Sequence, residues 1–242
     1  GRNSLNNGYY ISSLDIFQRI VALKPNLYEA WYLMALSKYH LEDYKGAYED
    51  CEKALELQPY IADIYDLYGL ICIHEEKYDK AEQIYLSAVE KGNDNAMKDL
   101  AMLYEDQKKF DKAEKMYLEA VRKGNSDAMY NLGLLYYKQR KYDKAEEMYL
   151  KAVQKGDELA MNNLGVLYRQ QNKEKKAEEM FLKSSQKGYL GGAYNLGSLY
   201  EKQKKYKKAK KYFKMIIDLG NENDPITKEA QEVYRKLVQA GY

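Results

Sequence analysis

The chain has 242 residues, 45% of them hydrophobic and 31% charged, a mixture that supports a folded core and excludes wholesale disorder. Three prolines and 15 glycines exclude a collagen-like or proline-rich chain. No stretch approaches the roughly 18 uninterrupted apolar residues of a membrane span. A net charge of +2 gives no general case for nucleic-acid binding.

The sequence pattern of residues 1–27 predicts a half-repeat, which is a single helix without the partner helix of a full repeat. Apolar spacing predicts one helix over residues 9–24, which ends before Pro25. Its inward side is expected to consist of Tyr10, Ser13, Phe17 and Ile20. Because this helix lacks a partner helix and the chain begins at Gly1 rather than Met, we expect further sequence upstream. The uncovered face makes self-association one alternative function.

A period of 32 residues organises the rest of the chain. The segment Asn131-Leu-Gly-Leu-Leu-Tyr136 recurs as Asn163-Leu-Gly-Val-Leu-Tyr168 and again as Asn195-Leu-Gly-Ser-Leu-Tyr200. A second block, such as Lys144-Ala-Glu-Glu-Met-Tyr149, follows each segment with the same period. The sequence therefore predicts one all-α domain over 1–242, consisting of a half-repeat, six repeats and a capping segment: 1–27; 28–61, 62–93, 94–125, 126–157, 158–189 and 190–221; 222–242.

Each repeat is predicted to form two helices, because apolar residues recur at helical spacing in both of its halves. A small residue in the first helix marks a place where a neighbouring helix approaches closely. These small residues are Ala35, Gly69, Ala101, Gly133, Gly165 and Gly197.

Glycines and prolines predict where the second helices end. Pro59 ends the second helix of the first repeat. Asp224 and Pro225 predict the start of a polar-faced capping helix over 225–239. In the later repeats a glycine predicts a left-handed helix cap, at Gly92, Gly124, Gly156, Gly188 and Gly220.

These motifs resemble tetratricopeptide repeats. The first repeat carries the family pattern at Trp31, Ala35, Tyr44, Ala47, Ala54 and Pro59. Later repeats resemble the Sel-like variant, with Ala-Met-x-Asn-Leu-Gly-x-Leu-Tyr and a terminal Lys-Gly, but without its longer turn between helices. The resemblance implies a right-handed superhelical solenoid whose first helices line a concave groove. It also implies a protein-interaction scaffold, not an enzyme, that binds a partner protein or peptide.

A repeated asparagine supplies the candidate binding site. Asn131, Asn163 and Asn195 occupy one slot of successive first helices, with Asp99 in the same slot earlier. An amide can pair with both groups of a peptide unit, so the three could form a ladder that resembles the one in O-GlcNAc transferase repeats. The alternative is that each amide bonds a neighbouring helix. The other expected groove residues are Tyr130, Leu134, Tyr137, Asn162, Val166, Arg169 and Tyr194, and towards the N-terminus Tyr32, Leu36, Tyr39, Asp66, Leu70 and Ile73.

Charge suggests a second candidate surface. Residues 1–93 hold 9 basic and 15 acidic side chains, whereas residues 94–242 hold 30 and 22. Residues 201–214 contain eight lysines, which could contact an anionic surface, RNA or an acidic protein, or could be solvated side chains of a second helix. The candidate residues are Lys204, Lys205, Lys207, Lys208, Lys210 and Lys211.

No motif for catalysis or metal binding is present. His40 and His74 are too few ligands for a metal site, and no phosphate-binding loop or nucleophile motif occurs. Cys51 and Cys72 fall in apolar helical patterns and are expected to be reduced core thiols. We therefore expect no cofactor and no metal, no membrane or nucleic-acid partner as the main ligand, and a cytoplasmic location.

Overall fold

The computed structural model describes the backbone of residues 2–242 and the side chains from residue 8 onward, and this part of the chain consists of helices and turns. The described residues divide into two compact units, Gly1–Asn125 and Ser126–Tyr242, called the N-terminal unit and the C-terminal unit below. The prediction of one domain over 1–242 stays a prediction.

Seven helices belong to the N-terminal unit, and consecutive helices pack against each other from α1 to α7. The first helix begins earlier than the sequence predicted. Its inward side is formed by Leu14, Phe17, Ile20 and Val21, which pack on Ala30, Trp31 and Met34. The helices are α1 (Arg2–Leu23), α2 (Tyr28–His40), α3 (Tyr44–Leu57), α4 (Ala62–His74), α5 (Tyr78–Glu90), α6 (Asp94–Asp106) and α7 (Phe110–Arg122).

The C-terminal unit repeats the same arrangement. Its last helix begins directly after Asp224, whose carboxylate accepts a hydrogen bond from the Ile226 backbone N–H, as the sequence predicted. The helices are α8 (Ser126–Lys138), α9 (Tyr142–Gln154), α10 (Glu158–Gln170), α11 (Glu174–Gln186), α12 (Leu190–Lys202), α13 (Tyr206–Leu219) and α14 (Pro225–Gln239). The all-α fold class of helix-turn-helix repeats is therefore confirmed.

Where the small residue of a first helix is glycine, it lies under a large side chain of the second helix of the same repeat. A Cβ added at Gly133 would lie 2.6 Å from the Tyr149 ring, and one at Gly165 would lie 2.6 Å from the Phe181 ring. Both rings are almost completely buried. The predicted close approach is thus confirmed, and it explains why glycine is used despite its low helix propensity.

Two kinds of left-handed residue connect the helices. Gly92, Gly124, Gly156 and Gly188 have φ between 86° and 90°, which confirms their predicted role as helix caps. Gly220 is different, because its φ is −82°, and the prediction for it is wrong. Its reason for being glycine is space, since a Cβ there would lie 2.2 Å from the Thr227 Oγ1 of α14.

The turn inside each repeat holds a left-handed residue that is not glycine, and no sequence pattern predicted it. The φ angles lie between 57° and 64°. This conformation costs about 1 kcal/mol for most side chains, and the cost falls where asparagine occupies the position. The six residues are Glu42, Glu76, Lys108, Arg140, Asn172 and Lys204.

Candidate functional site

Side-chain hydrogen bonds join the first helices of the C-terminal unit. Asn163 Nδ2 donates to the Tyr130 hydroxyl at 3.3 Å, which connects α10 to α8. Asn195 Nδ2 donates to Asn162 Oδ1 at 2.8 Å, which connects α12 to α10. Each bond spans 33 residues, one more than the repeat period. The bonded residues therefore lie on one face formed by successive first helices, called the first-helix face below.

Asparagine side chains form a continuous polar chain along this face. Asn162 donates from Nδ2 to Asn163 Oδ1 at 3.2 Å, so the hydrogen bonds run from Asn195 through Asn162 and Asn163 to Tyr130. Asn162 is buried and the other three are half-buried. Each amide has two N–H donors and an oxygen with two lone pairs. One bond from Asn195 thus engages half of its donors.

The three residues of the proposed ladder occupy equivalent places, as predicted. Asn131, Asn163 and Asn195 lie in α8, α10 and α12, and each is half-buried. Asn163 and Asn195 fit the alternative that each amide bonds a neighbouring helix, because both form a hydrogen bond with a neighbouring first helix. A peptide would therefore share these amides with the helices. Their role towards a ligand stays a prediction.

Tyrosines of the first-helix face rest on the second helices. The Tyr130 ring lies 6.3 Å from that of Tyr149, and the Tyr194 ring makes an edge contact with Phe213 at 5.8 Å. Burial raises the pKa of both Tyr130 and Tyr194, so their hydroxyls are neutral at physiological pH and can donate or accept.

The remaining predicted residues lie on the same face. Tyr137 accepts a hydrogen bond from Gln170, and the Arg169 guanidinium lies 5.7 Å from the centre of the Phe181 ring. Leu134 and Val166 are half-buried on α8 and α10. The structure thus brings the predicted residues of the C-terminal unit onto one surface.

Two carboxylates occupy the corresponding slots of the N-terminal unit. Asp66 in α4 and Asp99 in α6 are 33 residues apart, the spacing of Asn162 and Asn195. Asn93 Nδ2 donates to Asp66 Oδ1 at 3.4 Å, and Lys98 Nζ lies 3.1 Å from Asp99 Oδ1. Burial, and next the charge of Asp99, raises the pKa of Asp66 to about 6. This face of the N-terminal unit therefore carries carboxylates at positions where the C-terminal unit carries amides.

Replacing Asp66 with asparagine is expected to stabilise the protein at neutral pH. Because the pKa of Asp66 is raised in the folded state, folding binds protons between about pH 4 and 6, and the wild type loses stability as pH rises through that range. Asp66→Asn removes this loss. We expect its free energy of unfolding to exceed that of wild type by about 1 kcal/mol at pH 7 and by almost nothing at pH 4. Urea denaturation at both pH values measures the difference, with the exposed Asp79→Asn as control. A gain of equal size at both pH values would contradict the assignment.

Sequence comparison identifies the family of these repeats. Family models described as tetratricopeptide repeat match most of the chain, at residues 28–60, 62–90, 98–159, 159–186 and 192–219. The chain belongs to the tetratricopeptide repeat family. No curated protein matches the sequence.

Several solved structures share the fold of this chain. PilF of Pseudomonas aeruginosa is 19% identical, with a TM-score of 0.62 over 85% of this chain and 96% of that one. The antigen c5321 of uropathogenic Escherichia coli, which displays an SLR fold, is 21% identical, with a TM-score of 0.65 over 94% and 52%. BtubC of P. vanneervenii is 20% identical, with a TM-score of 0.59 over 77% and 91%. At these identities the likeness concerns the fold alone.

A joint of tyrosine, glutamate and lysine recurs between consecutive tetratricopeptide repeats. The Tyr168 hydroxyl donates to Glu146 of the preceding second helix at 2.9 Å. Lys173 and Lys176 lie over the Tyr168 ring, at 5.6 and 5.2 Å from its centre. The same bond joins Tyr104 to Glu82 and Tyr200 to Glu178, at 2.6 and 2.8 Å.

Sequence reasoning missed this joint. The signal that could have revealed it is the constant separation of 22 residues between each glutamate and its tyrosine. In each joint the glutamate accepts a hydrogen bond from the tyrosine hydroxyl, and the hydrogen bond from Tyr104 lowers the pKa of Glu82. These carboxylates hold repeats together.

The six candidate lysines line two hollows that share Lys207, one with Lys204, Lys205 and Lys208 and one with Lys210 and Lys211. Lys205 and Lys208 lie over the Tyr200 ring, at 5.7 and 5.1 Å from its centre, and so belong to the last joint. Lys204 lies in the preceding turn. The other three, Lys207, Lys210 and Lys211, line a groove on α13.

The histidines and cysteines take part in packing. His74 Nε2 and the Tyr39 hydroxyl share a hydrogen bond at 2.7 Å, and His40 stacks on Tyr10. Cys51 and Cys72 are buried and free, as predicted. Among the described residues, no group of three or more histidines, cysteines and acids is placed to hold a metal ion. No helix there has the length and apolar character needed to cross a bilayer.

Proposed function

We propose that this tetratricopeptide repeat protein is an interaction scaffold whose first-helix face binds an extended segment of a partner protein. The amides of Asn131, Asn163 and Asn195 would pair with the backbone of the segment. Tyr130, Tyr137 and Tyr194 would contact its side chains, since tyrosine offers a large contact area with a polar tip.

The observation that carries the proposal is the chain of hydrogen bonds from Asn195 through Asn162 and Asn163 to the Tyr130 hydroxyl, which joins α12, α10 and α8 along one face. The bonded residues occupy positions that recur in successive repeats. An extended peptide likewise presents backbone donors and acceptors at a regular interval. An amide held by one neighbour is pre-organised, so it loses less freedom when a ligand uses its remaining donor or acceptor. A groove of this kind reads backbone more than sequence.

A pull-down from the source lysate tests the proposal, with wild type beside Asn131→Ala/Asn163→Ala/Asn195→Ala and mass spectrometry as the readout. Each amide is expected to contribute about 1 kcal/mol, so the triple variant should bind the captured partner about a hundredfold more weakly. Circular dichroism and thermal melting establish that the variant is folded.

The matched control is Gln83→Ala/Gln154→Ala/Gln186→Ala, which removes three exposed amides from second helices. We expect this variant to capture the same partner as wild type. Equal capture by wild type and the asparagine variant would place the binding site elsewhere.

Self-association through residues 1–27 stays a prediction. The observation that favours it is a stripe on α1, where Tyr9, Ile16 and Leu23 lie seven residues apart and are 70%, 54% and 84% exposed. Location in the cytoplasm also stays a prediction from the sequence.

A further inference from the structure

A groove of about 550 Å³ lies along α13 and is bordered by Tyr234 of α14. The lining residues of α13 recur at intervals of three and four, so they form one face of that helix. Its lining combines lysines with an apolar floor, which consists of Met215, Leu219 and Tyr234. The Leu219 side chain is 67% exposed. The lining of α13 consists of Lys207, Lys210, Lys211, Lys214, Met215, Asp218 and Leu219.

At one position this face carries the opposite charge to the earlier second helices. One glutamate recurs with the 32-residue period, at Glu82, Glu114, Glu146 and Glu178, and the next position in the series is Lys210. Three of these glutamates, Glu82, Glu146 and Glu178, contact the following repeat. Glu82 accepts the Tyr104 hydroxyl, and Lys112 Nζ of the next second helix lies 3.6 Å from it.

The neighbouring position is glutamate in the two preceding second helices, α9 and α11. Glu147 and Glu179 each form an ion pair with the lysine four residues later, at 2.7 Å in both cases. The corresponding pair in α13 is Lys211 and Met215. A neutralised pair is thus replaced by a positive charge beside an apolar side chain.

The charges around the groove are poorly balanced. Among the side chains that line it in the described part of the chain, Asp218 is the only acid, and its carboxylate lies 3.1 Å from Lys214 Nζ. Lys210 donates to the backbone oxygen of Tyr242. The lining therefore has an excess of three positive charges around Met215, Leu219 and Tyr234.

We propose that this groove binds an acidic amphipathic helix of a partner protein, on the side of α13 where earlier repeats contact a following second helix. Carboxylates of the segment would pair with Lys207, Lys210 and Lys211, and its apolar residues would cover Met215 and Leu219. The apolar floor favours a protein segment over nucleic acid, whose charged backbone leaves such a floor uncovered. This surface is separate from the first-helix face, so its test is independent of the proposed function.

A designed peptide tests the proposal on the full chain. The probe is a fluorescent helix of about five turns, with leucines on one stripe and glutamates beside it, and its binding is followed by anisotropy. Two comparison peptides replace all glutamates by glutamine or all leucines by serine. We expect the acidic amphipathic peptide to bind at least about tenfold more tightly than either.

Variants of the groove locate the binding. Lys210→Glu/Lys211→Glu gives α13 the glutamate pair of α9 and α11 and should weaken binding at least about tenfold, and Leu219→Ser should weaken it several-fold. Lys175→Glu/Lys202→Glu is the control, because it makes the same change in charge at two exposed lysines outside the groove.

Other occupants are outcomes of the same experiment. An oligouridine RNA and vesicles containing phosphatidylserine are titrated beside the peptide. Tighter binding of either probe, unchanged in Leu219→Ser, would overturn the proposal in favour of a surface for that ligand. Equal weakening of peptide binding by the groove and control variants would overturn it in favour of general charge attraction. Absence of peptide binding would also overturn it.

Discussion

Replacing Phe181 with alanine is expected to lower the free energy of unfolding by about 3 to 5 kcal/mol. The Phe181 side chain is 0% exposed, and its ring lies directly on the backbone of Gly165. Because Gly165 has no side chain that could move into the vacated volume, the variant is left with a cavity between α10 and α11. The cost should therefore lie in the upper part of the range for such substitutions.

Urea denaturation followed by circular dichroism measures the effect of Phe181→Ala. Phe110→Ala is the matched control, since the Phe110 side chain is 42% exposed at the start of α7, and we expect it to cost less than about 1 kcal/mol. Similar losses for the two variants would show that Phe181 does not fill the core in the way described.

Replacing Lys38 with methionine is expected to cost about 3 kcal/mol at neutral pH. Lys38 Nζ lies 2.6 Å from Asp50 Oδ2, and the two side chains are 16% and 6% exposed. Burial raises the pKa of Asp50, and the ammonium group of Lys38 opposes that rise. Methionine keeps the apolar stem but removes the charge, so the Asp50 carboxylate stays buried without its counter-ion.

The pH dependence separates this cause from simple loss of packing. Without Lys38 the pKa of Asp50 rises further, so protonation of Asp50 relieves the cost as pH falls, and the deficit of Lys38→Met should shrink between pH 8 and pH 5. Lys38→Met/Asp50→Asn should recover most of the lost stability at neutral pH. A deficit that is the same at both pH values, with no recovery in the double variant, would refute the ion-pair explanation.

The fold could be predicted from the sequence because its determinants are local and recur. Gly133 and Tyr149 reappear as Gly165 and Phe181, so a close helix contact could be inferred before any coordinates were known. The start of α14 at Asp224 and Pro225 follows from side-chain chemistry within a few residues.

Other features depend on the relative rotation of helices, which the sequence does not specify. The bond between Asn163 and Tyr130 joins residues one position out of register with the repeat, so it required the structure. The ion pair of Lys38 and Asp50 does not recur with the repeat, so no periodic pattern in the sequence indicates it. Gly220 shows a limit of analogy, because it resembles the capping glycines in sequence but is required by the proximity of Thr227.

The repeated joint has a consequence for how such a chain can change length. Since Tyr104, Tyr168 and Tyr200 meet equivalent glutamates in the same way, the surfaces that join one repeat to the next are interchangeable. Loss or duplication of a 32-residue block would bring together a tyrosine and a glutamate that already match. Gain or loss of whole repeats can therefore change the length of the array, and with it the number of binding positions, without requiring a new contact between repeats.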